Sequence, residues 1–133
     1  MAGELDEESY RALAGFRYEL RRFLRFSETA ARDAGLTPQQ HQALLAIRAV
    51  PEGHMLVGEL ADRLLLRPHS ASELAARLES QGLAVRASDA ADRRHVQIRL
   101  TERAAEILAS LSVAHRAELQ RSGPMLHRLL EEL

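Results

Sequence analysis

A chain of 133 residues is long enough for one hydrophobic core but not for two independent ones, so we expect a single domain over residues 1–133. Its 46% hydrophobic and 28% charged residues exclude a disordered chain. The absence of cysteine excludes disulfides and thiolate metal sites, and the net charge of -1 means that only a local basic patch could bind nucleic acid.

The chain lacks the sequence signals of membrane proteins and of enzymes. No apolar run approaches the roughly 20 residues of a membrane helix, and the acidic start is unlike a signal peptide, so we expect a cytoplasmic protein without membrane contacts. It has no glycine-rich phosphate loop, no supported Ser-His-Asp arrangement and no paired carboxylates on a defined scaffold. We therefore expect neither enzymatic activity nor a cofactor.

The first predicted element is a long helix from Glu4 to Ala34, ended by Gly35. One face of this helix has the three- and four-residue spacing of a helix that packs on other helices, and it consists of Leu13, Phe16, Leu20, Phe23, Ser27 and Ala30. A different face carries Arg17, Arg21 and Arg25, and it either is solvated or contacts an anionic effector.

Residues 36–40 predict the start of a second helix. Thr37 is the expected N-cap, Pro38 occupies the first helical position, and Gln40 completes a capping box. Pro51 ends this helix, and residues 54–57 are a candidate for a short strand.

Residues 57–82 have the pattern of a helix-turn-helix. A short helix over 57–64 and a turn at 65–67 precede a second helix from Pro68 to Gln81, which Gly82 ends. The second helix has a buried apolar stripe and polar first turns, where a recognition helix contacts base edges. We predict that it contacts DNA through Arg67, His69, Ser70, Ser72 and Arg77.

Two strands, at 83–87 and 95–100, follow and flank a charged tip. The order of helix, turn, helix and hairpin is that of a winged helix-turn-helix. Adjacent arginines at the tip, Arg93 and Arg94, are explained by contact with phosphate or with a narrow minor groove. We predict that Arg86 contacts phosphate or braces the wing.

The last part of the chain is predicted to form two helices. Thr101 is the N-cap of a helix that runs to about Ser122, and Gly123-Pro124 breaks it and starts another. The final segment is too apolar to be exposed, so a second subunit is expected to cover it. The predicted fold is mainly α with a small β-hairpin wing: residues 1–35 and 101–133 are dimerisation helices, and 36–100 are the DNA-binding unit with its wing at 83–100.

Five motifs follow the pattern of a known family. They are Leu36-Thr37-Pro38-Gln39-Gln40, segments 58–64 and 78–86, Asp92-Arg93-Arg94 and Leu100-Thr101-Glu102. Together they closely resemble the MarR (multiple antibiotic resistance regulator) family of transcription factors, over nearly the whole chain.

The resemblance implies a homodimer that binds double-stranded DNA at a pseudo-palindromic operator, usually as a repressor, and that a small ligand often releases. It also implies that Ser70, Ala71 and Ser72 contact bases, and that Asp92 steadies Arg94 against the minor groove. One departure is Glu73, which lies where the family often has a basic or neutral residue. It either recognises cytosine or pairs with Arg77.

The predicted function is that of a transcriptional regulator released by a small aromatic or anionic effector. We expect the effector site to be lined by Arg17, Phe23, Phe26 and His41. Some relatives sense zinc, and His41, His115 and Glu28 could meet in a similar site, so a zinc-responsive regulator is an alternative. A second alternative is a protein-interaction module that has lost DNA binding, for which Glu73 and the net charge are the only indications.

Overall fold

The computed structural model describes residues 3–88 and 95–133. Within these residues the chain forms five helices and three strands, which confirms the predicted fold, mainly α with a small β wing. The helices are α1 (Glu7–Asp33), α2 (Pro38–Arg48), α3 (Val57–Leu64), α4 (Pro68–Ser80) and α5 (Glu102–Glu131), and the strands are β1 (His54–Leu56), β2 (Ala84–Ser88) and β3 (Val96–Leu100).

Both ends of α1 are set by local chemistry. The helix begins at Glu7 rather than at Glu4, because the Asp6 carboxylate accepts a hydrogen bond from the Ser9 amide at 2.8 Å and so caps the first turn. At the other end, Gly35 has a φ of 84°, which a side chain would disfavour.

The capping box predicted for α2 is confirmed. The Thr37 hydroxyl accepts from the Gln40 amide at 3.1 Å, and the Gln40 side-chain oxygen accepts from the Thr37 amide at 3.0 Å. This reciprocal pair fixes the first turn of α2 and with it the conformation of the Gln40 side chain.

The three strands form an antiparallel sheet in the order β1-β3-β2, so the predicted short third strand is confirmed. In register, Ile98 of β3 lies between Met55 of β1 and Arg86 of β2. Strand β2 begins at Ala84 rather than at Leu83, because the Leu83 amide donates to the Leu78 carbonyl at 2.8 Å and so belongs to the end of α4.

One core joins the helix-turn-helix to the sheet and to the start of α5. Its largest fully buried side chains are Leu44, Ile47, Leu60, Leu78 and Ile98. Each stabilises the fold by roughly 1.5–3 kcal/mol. Three buried residues of α5 belong to the same cluster, Ala104, Leu108 and Leu111. Helix α5 therefore continues from the core of the helix-turn-helix towards the carboxyl end of the chain.

The predicted break at Gly123-Pro124 is wrong, because α5 is continuous and contains Pro124. A proline inside a helix removes one backbone hydrogen bond but does not prevent helix beyond it if packing compensates. Here Leu129 lies against α1, where a Cβ added to Gly15 would be 3.0 Å from the Leu129 Cδ2. Close packing of α5 on α1 therefore outweighs the local preference of the proline.

None of the described helices is long and apolar enough to cross a membrane.

Gly82 provides a test of how α4 ends. Its φ of 72° is costly for any residue with a Cβ, so Gly82→Ala is expected to lower the free energy of unfolding by about 1–2 kcal/mol. Gly58, in α3, has open space around it, and Gly58→Ala is expected to raise stability by up to about 1 kcal/mol. Urea denaturation measures both, and a neutral Gly82→Ala would contradict the assigned backbone conformation.

Candidate nucleic-acid interface

Helix α4 buries one face in the core and leaves the other in solvent. Leu74, Ala75 and Leu78 are buried, and Ala71 is fully buried. Ala71 therefore packs in the core, although the family resemblance implies a base contact at this position. The predicted DNA-binding residues lie outside the core: Arg67, His69, Ser72 and Arg77 are exposed or half-buried, and Ser70 is half-buried.

The amino end of α4 is open. Its N-cap is Arg67, and among the described residues no side chain caps the first turn by a hydrogen bond. Ser70 and Ser72 therefore do not cap the helix start. The free amides after Pro68 and the positive end of the helix dipole are suited to a phosphate group.

Glu73 lies on the exposed face of α4 and pairs with His69 instead of Arg77. The His69 Nε2 is 3.0 Å from the Glu73 Oε1, and both side chains are more than half exposed. Glu73 has the only carboxylate in the first two turns of α4, and its partner is the imidazole of His69.

The wing is fastened to α4 by an ion pair. The Arg86 guanidinium donates from Nη2 and Nε to the Glu79 Oε1, at 3.0 and 3.3 Å, and the Arg86 amide donates to the Glu79 Oε2 at 3.2 Å. These hydrogen bonds hold the pKa of Glu79 below its usual value of 4.5. Of the two roles predicted for Arg86, the structure shows the brace. The predicted tip, Asp92, Arg93 and Arg94, lies outside the described residues.

Three side chains hold the carboxyl end of α4. Gln40 of α2 donates to the Gln81 side-chain oxygen at 2.8 Å. Arg103 of α5 donates to the Gln81 carbonyl at 2.8 Å, and the Thr101 hydroxyl donates to the Gly82 carbonyl at 2.8 Å. Sequence analysis identified Thr101 only as an N-cap and missed Gln40 and Arg103 in this role, because local patterns do not show which distant segments meet.

A cavity of about 440 Å³ lies between α1, α2 and α5. It contains two of the four predicted effector residues, Phe23 and His41. The Phe26 ring packs edge-on against His115, with ring centroids 5.3 Å apart, but lines a separate groove on α1. Arg17 is not in the lining. The remaining lining residues are Leu45, Ser112, His115, Arg116, Leu119 and Gln120, of which sequence analysis had considered only His115, as a zinc ligand.

His41 and His115 form the polar centre of this cavity, with ring centroids 4.7 Å apart. The His115 Nδ1 donates to the Leu111 carbonyl at 2.7 Å, because a carbonyl can only accept, and in a neutral ring the Nε2 then accepts from the Ser27 hydroxyl at 2.8 Å. The His41 Nδ1 is buried without a hydrogen-bond partner. Burial, and then the nearby His115, lower the pKa of His41 below its usual 6.5.

The zinc alternative gains little from this geometry. Both ring nitrogens of His115 are hydrogen-bonded, and the third candidate ligand, Glu28, is exposed. Over residues 3–88 and 95–133 no group of three or more His, Cys, Asp or Glu residues is arranged to hold a metal ion.

The lowered pKa of His41 predicts a loss of stability in acid. The unfolded chain binds this proton near pH 6.5 while the folded chain resists it, so stability is complete above about pH 6.5 and falls as the pH drops below that value. His41→Leu is expected to reduce the difference in unfolding free energy between pH 7.5 and pH 5.5 (urea denaturation, ~25 °C). Gln42→Leu, at an exposed position next to His41 on α2, removes no titratable group and should keep the wild-type difference; an unchanged difference in His41→Leu would refute this assignment.

Comparison with known proteins agrees with this architecture. A model of the MarR family matches residues 34–95. No curated protein sequence is significantly similar to the chain. Among solved structures, AbsC, a MarR family transcriptional regulator from Streptomyces coelicolor, is 23% identical with a TM-score of 0.75, over 90% of this chain and 81% of AbsC.

Two further structures show the same similarity. A MarR family protein from Bacillus stearothermophilus is 25% identical with a TM-score of 0.73, over 89% of this chain and 81% of its own. A mutant of MepR from Staphylococcus aureus, solved bound to an oligodeoxyribonucleotide, is 22% identical with a TM-score of 0.68, over 89% and 82% of the two chains. Residues 34–95 therefore match the MarR family model, and the chain as a whole has the fold of these solved MarR family proteins.

Proposed function

We propose that this protein is a sequence-specific DNA-binding transcriptional regulator that places α4 in the major groove. The observation that carries the proposal is the contrast between the two ends of α4. The carboxyl end is tied to α2 and α5, whereas the amino end is exposed, uncapped and polar. A rigid helix with a free polar start is suited to contact base edges and phosphates.

The proposed DNA-contacting residues belong to two groups. On α4, Ser70, Ser72 and Arg77 contact bases or phosphates. Arg67 and His69, at the start of the helix, lie beside the sugar-phosphate backbone of the DNA. In the wing, Arg93 and Arg94 contact phosphate or the minor groove, with Asp92 steadying Arg94. In support, MepR of Staphylococcus aureus, a mutant of which was solved with DNA, is a transcription regulator of a multidrug efflux pump.

The protein acts as a homodimer through the helices of residues 1–35 and 101–133. In a single chain, these helices leave several large apolar side chains 40–53% exposed to solvent. An exposed apolar surface of this kind is typical of a protein–protein interface. A second copy related by a two-fold axis would bury them and place two α4 helices roughly 34 Å apart, one turn of a palindromic operator. The side chains concerned are Leu13, Leu20, Leu24, Leu119, Met125 and Leu130.

A small ligand in the cavity between α1, α2 and α5 releases the protein from its operator, so that it functions as a repressor. The ring of Phe23 and the guanidinium of Arg116 suit an aromatic or anionic compound. Because the lining comes from both the terminal helices and α2, a ligand would shift one against the other and change the separation of the two α4 helices. Thermal unfolding against a panel of aromatic acids tests this step, and a panel without any stabilising compound would count against it.

The wing arginine gives a test of DNA binding. Arg94→Ala is expected to weaken binding to the preferred operator and to reduce the slope of log affinity against log salt by about 0.9, the value of one phosphate contact. Fluorescence anisotropy across a salt series measures both quantities. Arg48→Ala, at an exposed position in the last turn of α2 outside the proposed dimerisation helices, serves as the matched control and should behave as wild type; a wild-type slope in Arg94→Ala would contradict the assignment.

The dimer is tested at Leu20. Leu20→Glu would bury a charge in the proposed interface, so the chain is expected to sediment as a monomer at micromolar concentration and to lose operator binding. Leu65→Glu, in the turn before α4 where the side chain is 93% exposed, should remain dimeric. A wild-type chain that is monomeric in analytical ultracentrifugation would remove this part of the proposal.

A further inference from the structure

Gln40 makes an unusual contact for a capping-box residue. Its side-chain oxygen accepts from the Thr37 amide within α2, and its side-chain nitrogen donates to Gln81 at the end of α4. The Gln40 side chain is only 4% exposed and is therefore held inside the fold, whereas its partner Gln81 lies at the exposed end of α4. Since the capping box already fixes its conformation, Gln40 presents its amide to α4 in one orientation.

The other two ties at this point come from α5 and the residue before it. Thr101 and Arg103 hold the backbone carbonyls of Gly82 and Gln81. The bond from Gln40 joins the same end of α4 to α2, a different element from α5 and from strand β2, whose Arg86 is bonded to Glu79. It therefore adds a directional contact that neither of those attachments supplies. The apolar packing of Leu74 and Leu78 sets the depth of α4 but has little directional preference, unlike a hydrogen bond.

A small rotation at the carboxyl end has a large effect at the other end. With 13 residues at about 1.5 Å each, α4 is roughly 20 Å long, so a tilt of about 10° would move its amino end by about 3 Å. That displacement is as long as a hydrogen bond and would take the side chains of the first turns out of reach of base edges.

We propose that Gln40 is a positioning residue for DNA recognition: its hydrogen bond to Gln81 sets the tilt of α4 and thereby the protein's preference for its operator. This inference rests on the proposed DNA-binding function. Gln40 has no contact with DNA in this scheme and acts only through α4. Its removal therefore lowers affinity for the correct sequence and leaves non-specific binding, which depends on phosphate contacts, nearly unchanged.

The test uses the full chain and two duplexes, the one that wild type selects from a random-sequence pool and a scrambled duplex of the same composition. Gln81→Met removes the acceptor of this bond at an exposed position and leaves the capping box and both other ties in place. Gln40→Met removes the donor, and the double variant completes the cycle. Gln39→Met, on the same turn, is the matched control.

Gln81→Met and Gln40→Met are each expected to lose about tenfold in the ratio of operator to scrambled affinity. The double variant should lose no more than Gln40→Met, and Gln39→Met should match wild type. A wild-type ratio in Gln81→Met, or effects that multiply in the double variant, would overturn the inference. If wild type binds the operator and the scrambled duplex with equal affinity, the proposed function itself is wrong. If wild type prefers the operator and Gln81→Met has the same preference, only the inference about Gln40 is wrong.

Discussion

In the proposed mode of DNA recognition, helix α4 has two opposing requirements, because its amino end has to be free to enter a groove while its orientation has to be fixed. The chain meets both by placing all the ties at one end. Leu78 is fully buried, Gly82 adopts the left-handed conformation that ends the helix, and side chains of α2 and α5 hold the final residues. The Glu79–Arg86 pair extends the same fixed region into the wing. Helix α4 and strand β2 are thus joined at the carboxyl end of α4.

The first turn of α2 lies between this unit and the cavity. Gln40 extends towards α4, and the next residue, His41, extends into the cavity against His115 of α5. Burial and the neighbouring His115 lower the pKa of His41 and so favour its neutral state, and its Nδ1 is buried without a hydrogen-bond partner beside the cavity. The same short segment therefore links the proposed effector site to the proposed DNA-binding helix through two consecutive residues.

Local sequence patterns predicted the parts of this structure that depend on local chemistry. The capping box at Thr37, the bounds of α3, the start of α4 at Pro68 and the short strand at residue 54 all follow from capping, proline and periodicity rules. The same rules failed at Pro124, where packing of Leu129 on Gly15 keeps α5 helical. They also missed Arg103, the tie from Gln40 to α4 and most of the cavity lining, because a bond between residues 41 positions apart depends on the tertiary fold.

The central claim, that the amino-terminal half of α4 lies in the major groove, can be tested by site-directed cleavage. Because the natural chain contains no cysteine, Ser72→Cys provides a single attachment point for an iron chelate that cleaves nearby DNA. On the selected operator, this variant is expected to cut at two symmetric positions about 10 base pairs apart, whereas a chelate on Leu133→Cys at the end of the chain should give no localised cleavage. Absence of localised cutting from position 72, in a variant that still binds the operator, would contradict the account.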